Sequence, residues 1–588
     1  MNDFSTIPDQ HEDSPLPPTS RMRRWQLGAL IAGAAMIVGA LAFMLWPRGE
    51  QTPEAPRDIQ FGSPDVFREA VVGLPRYVNP LLAATQADRD LAALVFSGLT
   101  RVDEFGQPVP DLAESWIVSD DGLTYTFHLR TNVTWHDGHP FTAEDVAFTM
   151  SLLREPDFPG PQALAAFWRT IETYADDDYT VRFVLTQPLA SFPEYAGLGI
   201  VPRHWLGAVP VTGLLDDPFN LSPVGTGRLS WSALAEDGGV TAVRLEPYPG
   251  YYDASRRVTI PALELKFYED AGDAFRALGP DVQAFGGLSA PQLEAALRTP
   301  LLNVFSSRLP VYAAVIFNQT DAENLSFFQD EKVRQALFLA LDRGTLVANA
   351  LGPEALVANS PILPGSWAYN SSLNVPPPSP DGAAVLLDEA GWVATNGHRE
   401  REGTPLAFTL LVSDRPEHRT LADAIAASWG AVGVQVDVQV VEPDELLVHL
   451  QPEGTDSVPD FEAAIVEFSQ GGFADPDPYP FWHESQSGAG QNYGGFKDRD
   501  ISVALEIGRR DANGVRRAEA YREFQQLFLD QAAAVLLYNP VYHYAVSCQV
   551  QGTQAIILAE PSDRFNNLHE WRMLGPDQAA SACNSEGQ

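Results

Sequence analysis

Two carboxylates separated by a single proline, Asp475 and Asp477, stand in the decapeptide FADPDPYPFW at residues 473–482. Aromatic rings flank them: Phe473, Tyr479, Phe481 and Trp482. Pro476, Pro478 and Pro480 remove backbone donors and oppose helix, and each pushes its predecessor toward an extended conformation. The spacing predicts a stiff, extended, acidic and aromatic loop. Residues two apart in an extended chain share a face, about 6–7 Å apart at a rise of ~3.3 Å per residue. Carboxylates so spaced are raw material for acid–base work of the glycosidase kind, although such pairs normally come from separate elements. A hard cation would need more oxygen ligands than these neighbours offer. Solute binding suits the stretch better. A carboxylate can meet a ligand ammonium, and the ring faces add apolar area and cation–π attraction. Proline stiffening lowers the ordering cost of binding.

Other candidates are weaker. His136 and His139 in WHDGHP could suggest a metal, but Asp-Gly at 137–138 is a turn signal and a tight turn is the preferred reading. Gly225-Thr226-Gly227 is too short a glycine run for a phosphate loop. No nucleophile elbow, Walker loop, dinucleotide fingerprint or H-E-x-x-H motif occurs. Cys548 and Cys583 are the two cysteines, which nearly excludes a cysteine-built zinc site and leaves either two thiols or one disulfide. No metal and no cofactor are expected.

The elements that must position the acidic loop alternate between strand and helix. Thr124–Arg130 and Thr180–Leu185 alternate apolar and polar residues, as half-buried strands do. Between them Thr142, with Asp145 three residues on, opens a helix by a capping box, with Phe141 and Val146 as a hydrophobic staple. Asp330 caps a helix carrying Val333 and Leu337. Ser379-Pro380 opens another carrying Leu386, and Gly391 stops it. Strand Leu406–Val412, helix Arg419–Trp429 and strand Val434–Val441 form a strand–helix–strand unit. Strand Phe461–Phe468 leads into the acidic loop. A helix over Val515–Asp530 precedes a strand over Ala534–Ala545. The fold class is α/β, in two lobes, with the chain crossing in the stretch Pro310–Asn318 and returning at Asn539-Pro540.

In the 588-residue chain, 77 acidic against 38 basic residues give a net charge of −39. Such a surface repels nucleic acid and anionic headgroups, so no nucleic-acid partner is expected. Leu27–Trp46 is an uncharged run of 20 residues preceded by Arg21, Arg23 and Arg24. That length matches ~30 Å of hydrocarbon, and the arginines keep the N-terminus inside. The expected organisation is a cytoplasmic tail (1–24), a transmembrane anchor (25–46), a linker (47–60), lobe 1 (61–309, with a subdomain at about 106–219), lobe 2 (310–540), and a return to lobe 1 with the C-terminal tail (541–588).

One stretch carries a family likeness. Asp111–Met150 (DLAESWIVSDDGLTYTFHLRTNVTWHDGHPFTAEDVAFTM) resembles the signature region of the family 5 extracellular solute-binding proteins, the peptide, oligopeptide and nickel binding subunits of ABC importers. Further matches are Asn79–Leu82, Phe96–Thr100, Pro223–Gly227, Lys332–Leu337 and Leu386–Trp392. The resemblance implies a two-lobed, hinged periplasmic-binding-protein-like fold with a discontinuous larger lobe, closing on a short peptide or similar small solute. An ABC permease is the implied partner and a monomer the expected state. By position it implies that Asp475 pairs with a ligand amino terminus, Asp477 being the second choice, with Asn492 further along and the ligand held as an added strand. Phe473, Tyr479 and Trp482 complete the candidate ligand-binding set. Phe473 stands where members usually have tryptophan. The rival readings are a membrane-anchored solute sensor and a carbohydrate-active or metal-dependent hydrolase.

Overall fold

The computed structural model describes residues 64–237, 240–320, 325–353, 355–451, 459–470, 475–488, 490–511, 514–554 and 558–585. The expected tail, anchor and linker, and Phe473 of the acidic loop, lie outside the described residues. Among the described residues no helix is long and apolar enough to cross a membrane.

Two mixed sheets organise the chain. The first has seven strands in the order Leu302–Arg308, Val541–Ser547, Ala284–Gly286, Phe67–Val72, Leu263–Tyr268, Val240–Pro247, Leu229–Asp237. The second has five, in the order Gln435–Val441, Ala407–Ser413, Ala463–Ser469, Val311–Phe317, Val535–Leu536. Its first three strands run parallel and Val311–Phe317 antiparallel to them. Val311–Phe317 shows why it is central. Tyr312, Ala314 and Ile316 enter one core cluster, while Ala313, Val315 and Phe317 enter another on the opposite face. A strand buried on both faces reads as a continuous apolar run rather than an alternating one.

A four-stranded antiparallel sheet, Ala113–Val118, Thr124–Leu129, Thr180–Leu185, Ile171–Asp177, shares its core with the seven-stranded sheet. It includes the two half-buried strands expected from alternation: Tyr125, Phe127 and Leu129 are buried, as are Val181, Phe183 and Leu185. The helix between them, Ala143–Arg154, starts with the capping box, Thr142 N–H donating to Asp145 Oδ2 at 3.0 Å.

The chain passes from the first sheet to the second between Arg308 and Val311 and returns between Asn539 and Val541. The two crossings lie side by side, Leu309 N–H donating to the Pro540 carbonyl at 3.0 Å and Asn539 Nδ2 to the Val311 carbonyl at 3.0 Å. The expected strand Ala534–Ala545 is instead three pieces, Val535–Leu536, Tyr538–Asn539 and Val541–Ser547, each in a different sheet. Pro540, which has no N–H to give a ladder, marks the last break. Beyond it Arg564 reaches back to the first strand and first helix. Its guanidinium pairs with buried Glu69 at 2.7 Å and buried Asp90 at 2.6 Å. Cys548 and Cys583 are bonded as a disulfide, Cα atoms 5.6 Å apart, tying the terminal helix Pro576–Ser585 to the end of strand Val541–Ser547.

Candidate functional site

The acidic loop is extended only in part. Tyr479–Trp482 forms one helical turn, with Phe481 N–H donating to the Pro478 carbonyl at 3.1 Å and His483 N–H to that of Tyr479 at 3.1 Å. The expectation of extended chain throughout fails here for a local reason. A proline in the first turn sacrifices a donor that has no intrahelical partner anyway, and Pro480 occupies that first turn.

Asp475 and Asp477 lie inside the protein, each against an arginine. Asp475 Oδ1 accepts from Arg517, whose Nε also donates to the Gly508 carbonyl at 2.6 Å. Asp477 is 6% exposed, with Arg509 Nη2 at 3.1 Å from Oδ2. That contact is an ion pair by distance, and the Tyr479 backbone N–H also faces the Asp477 carboxyl. Burial pushes both carboxyls above their ordinary value, against the pull of Arg517 on Asp475 and of Arg509 on Asp477. Both arginines come from the helix pair Arg499–Arg510 and Gly514–Asp530. Each also lies over a ring, Arg509 over Tyr479 at 4.5 Å and Arg517 over Trp367 at 5.0 Å.

The second wall of this site belongs to the four-stranded-sheet module. The short helix Phe192–Tyr195 sets Glu194 and Tyr195 against the acidic loop, and the Asp475 backbone N–H donates to the Glu194 carboxyl. Burial, with the Asp475 charge adding to it, raises Glu194 to about 8. The same two causes raise Tyr125 to about 12. Arg510 donates to Gln187 across the same junction. Asp475 and Asp477 thus stand where the two lobes meet, among groups of both lobes.

The remaining candidates have other duties. Trp482 is 3% exposed, donates to the Tyr312 hydroxyl at 2.7 Å and packs edge-on against Phe528 at 4.6 Å. Tyr479 is buried and stacks on His483 at 4.1 Å. Asn492 is 2% exposed; its Nδ2 donates to the Phe496 carbonyl at 2.8 Å and its Oδ1 accepts from Phe496 N–H at 3.1 Å. It staples its own turn. Sequence reasoning missed Arg509, Arg517 and Glu194. A signal existed for the first two, because GRRDANGVRR at 508–517 concentrates four arginines in an acidic chain.

A second polar cluster sits beside the crossings, at the carboxyl ends of strands Ala407–Ser413 and Ala463–Ser469. Glu467 accepts from Arg415 at 2.8 Å and from the Tyr538 hydroxyl at 2.7 Å. His418 bridges Tyr538 at 2.9 Å and Ser413 at 2.6 Å. Burial opposes ionisation of Glu467, but its hydrogen-bonded and cationic partners hold it down at about 2. Carboxyl ends of parallel strands are where open α/β sheets present their crevices.

The family profile described as bacterial extracellular solute-binding proteins, family 5 Middle, matches residues 107–493, a span that holds both walls of this junction except Arg509, Arg510 and Arg517. This chain belongs to that family. Its oligopeptide-binding relative AppA from Bacillus subtilis (strain 168) is 26% identical over 561 residues, 94% of this chain and 99% of the relative. The structure of AppA with a nonapeptide matches with a TM-score of 0.71 over 88% of this chain and 100% of that one. The dipeptide-binding protein of Escherichia coli (strain K12) is 25% identical over 82% of this chain and 90% of its own. NikZ from Campylobacter jejuni, solved with Ni(L-His), is 25% identical with a TM-score of 0.70 over 87% of this chain and 100% of that one. The solute-binding protein therefore has the two-lobed periplasmic-binding-protein fold of mixed α/β content, and its binding domain works outside the cytoplasm. A disulfide suits that compartment.

Proposed function

We propose that this solute-binding protein is the substrate-binding subunit of an ABC importer, capturing a short peptide by its free amino terminus between the lobes and delivering it to a membrane permease. Asp475 is the group that meets the ligand ammonium, through Oδ2, because Oδ1 is engaged by Arg517. Asp477 supplies a second negative charge behind it. The observation that carries this reading is the acidic pair itself, Asp475 and Asp477, seated together where the lobes meet with one arginine beside each. Buried carboxylate oxygens ordinarily find donors, and an ammonium brings three. The likeness to the oligopeptide-binding and dipeptide-binding relatives supports a peptide as the ligand. Trp482, Tyr479 and Asn492 shape the loop rather than touch the solute, which leaves the acidic pair as the specific contact.

Capture needs no chemical step. The side-by-side crossings at Arg308–Val311 and Asn539–Val541 act as the hinge. A micromolar peptide has ~8 kcal/mol of binding free energy, and its preference for the closed form shifts a hinge equilibrium of a few kcal/mol. The test is calorimetry of the full-length protein with matched peptides, free or acetylated at the amino end. Acetylation, or Asp475→Asn, is expected to weaken binding by the ~1.5–3 kcal/mol of a charged hydrogen bond, roughly 10- to 100-fold. Equal affinity for free and acetylated peptides would remove the ammonium contact.

Leu27–Trp46 serves in this reading as an uncleaved anchor that keeps the binding domain near its permease. Its 20 uncharged residues behind three arginines support this. Alkaline extraction of cells is expected to leave the full-length protein in the membrane pellet. Release into the supernatant would sink the anchor.

A further inference from the structure

The turn Trp135–His139 presents Asp137 and His139 to His204, 65 residues further along the chain on the short helix Arg203–Leu206. His136, the other histidine of the turn, points away: its Nδ1 accepts from Gly225 N–H at 3.2 Å and its Nε2 meets the Gly227 carbonyl at 3.1 Å. Asp137 Oδ2 lies 2.8 Å from His204 Nε2, and Asp137 Oδ1 lies 3.2 Å from His139 Nδ1. One ligand atom from each of the three residues falls within 4.8 Å of the others. A metal bound at ~2.0–2.1 Å sets its ligand atoms roughly 3–3.4 Å apart; the 3.2 Å separation falls in that range, and the 2.8 Å one has to open slightly to admit an ion between carboxylate and ring. The imidazoles stack with centroids 4.2 Å apart. His139, its side chain 59% exposed, has room to swing its ring onto the ion, while Asp137 and His204 at 24% and 25% stay seated.

The scaffold beneath is prepared. Trp135 N–H donates to the His139 carbonyl at 2.8 Å and closes the turn. Buried Asp145 ties the turn to the helix Arg203–Leu206, accepting from Trp135 Nε1 at 3.4 Å and from Arg203 N–H at 3.1 Å. Trp205 Nε1 donates to Asp137 Oδ2 at 2.8 Å and fixes the carboxylate plane, the outer-layer support that metal ligands commonly have.

We propose that Asp137, His139 and His204 form a binding site for one borderline divalent transition-metal ion, water completing its coordination. Two imidazoles and one carboxylate suit zinc, nickel or cobalt rather than calcium or magnesium. The ion clamps the turn Trp135–His139 to the helix Arg203–Leu206, on residues the peptide reading does not use.

The probe is Zn(II), titrated calorimetrically into full-length protein stripped of metal. Among the described residues there is no free cysteine, so thiols do not compete. One equivalent is expected to bind with a Kd below ~100 µM. Asp137→Asn and the double variant H139A/H204A are each expected to weaken it at least ~10-fold, with unchanged circular dichroism and unchanged affinity for a free-amino peptide. Co(II) bound to the wild type is expected to show d–d bands that both variants lose. Zn(II) binding of wild-type strength in the double variant overturns the site. So does weak, multi-equivalent uptake insensitive to both variants, the mark of an adventitious ion only.

Discussion

A carboxylate taken out of water costs free energy unless donors or a counter-charge replace the water. Asp475 and Asp477 are compensated by Arg517 and Arg509, but Glu194, across the junction, has an Oε1 without a partner among the described residues. Its proton is retained up to about 8. The sign follows from linkage: the folded protein holds this proton more tightly than the unfolded chain, where the ordinary value is 4.5. The cost is absent below that ordinary value, grows through the window up to about 8, and is full above it. Glu194→Gln keeps an acceptor for the Asp475 N–H and removes the titration. The melting-temperature gap between Glu194→Gln and wild type is therefore expected to widen in favour of the variant as pH rises through that window. A gap that stays constant with pH would show that Glu194 does not titrate there.

Elements are joined here by close backbone approach as much as by side chains. A Cβ added at Gly225 would lie 1.9 Å from the Val95 carbonyl oxygen, and one at Gly227 would lie 2.6 Å from it. The Gly-Thr-Gly run therefore packs on the carbonyl end of helix Gln86–Val95, whose negative dipole end repels phosphate. Gly225→Ala is expected to destabilise by about 1–3 kcal/mol, as overpacking does, lowering the urea midpoint at unchanged slope. Gly430, in helix Pro416–Ala431 with nothing within 4 Å of an added Cβ, is the control. Gly430→Ala is expected to be neutral or to stabilise by up to ~1 kcal/mol. A wild-type midpoint for Gly225→Ala would mean that the two elements do not touch.

At the scale of the molecule, two paired crossings join the sheets, and the C-terminal segment returns to finish the first one. Arg564 contacts Glu69 and Asp90 nearly the whole chain away, and Tyr544 donates to Glu69 at 2.8 Å. Removing one partner of such a buried set typically costs several kcal/mol, so the C-terminal segment is integral to the first lobe. The disulfide fastens the last helix to the same sheet. Contacts such as Arg510 with Gln187 and Asp475 with Glu194 join the loop-bearing lobe to the four-stranded module. Polar contacts of that kind suit surfaces that separate and meet again.

Local rules carried far. Alternation named the strands Thr124–Arg130, observed as Thr124–Leu129, and Thr180–Leu185, residue spacing named the caps at Thr142, Asp330 and Ser379, and the Asp111–Met150 stretch carried the family. Each depends on residues within a few positions of one another. What lay beyond reach was pairing across distance. Asp475 and Asp477 are visible as an acidic pair, but their arginines stand 42 and 32 positions away, and Glu194 approaches from the other lobe. Trp482 and Asn492 have the chemistry of ligand contacts, yet burial and partners within the fold, the Tyr312 hydroxyl and the Phe496 backbone, absorb them into the scaffold. His204 joins Asp137 and His139 only because a helix folds back onto their turn. Burial, charge compensation and ligand geometry are properties of neighbours in space, and those neighbours exist only once the chain has packed.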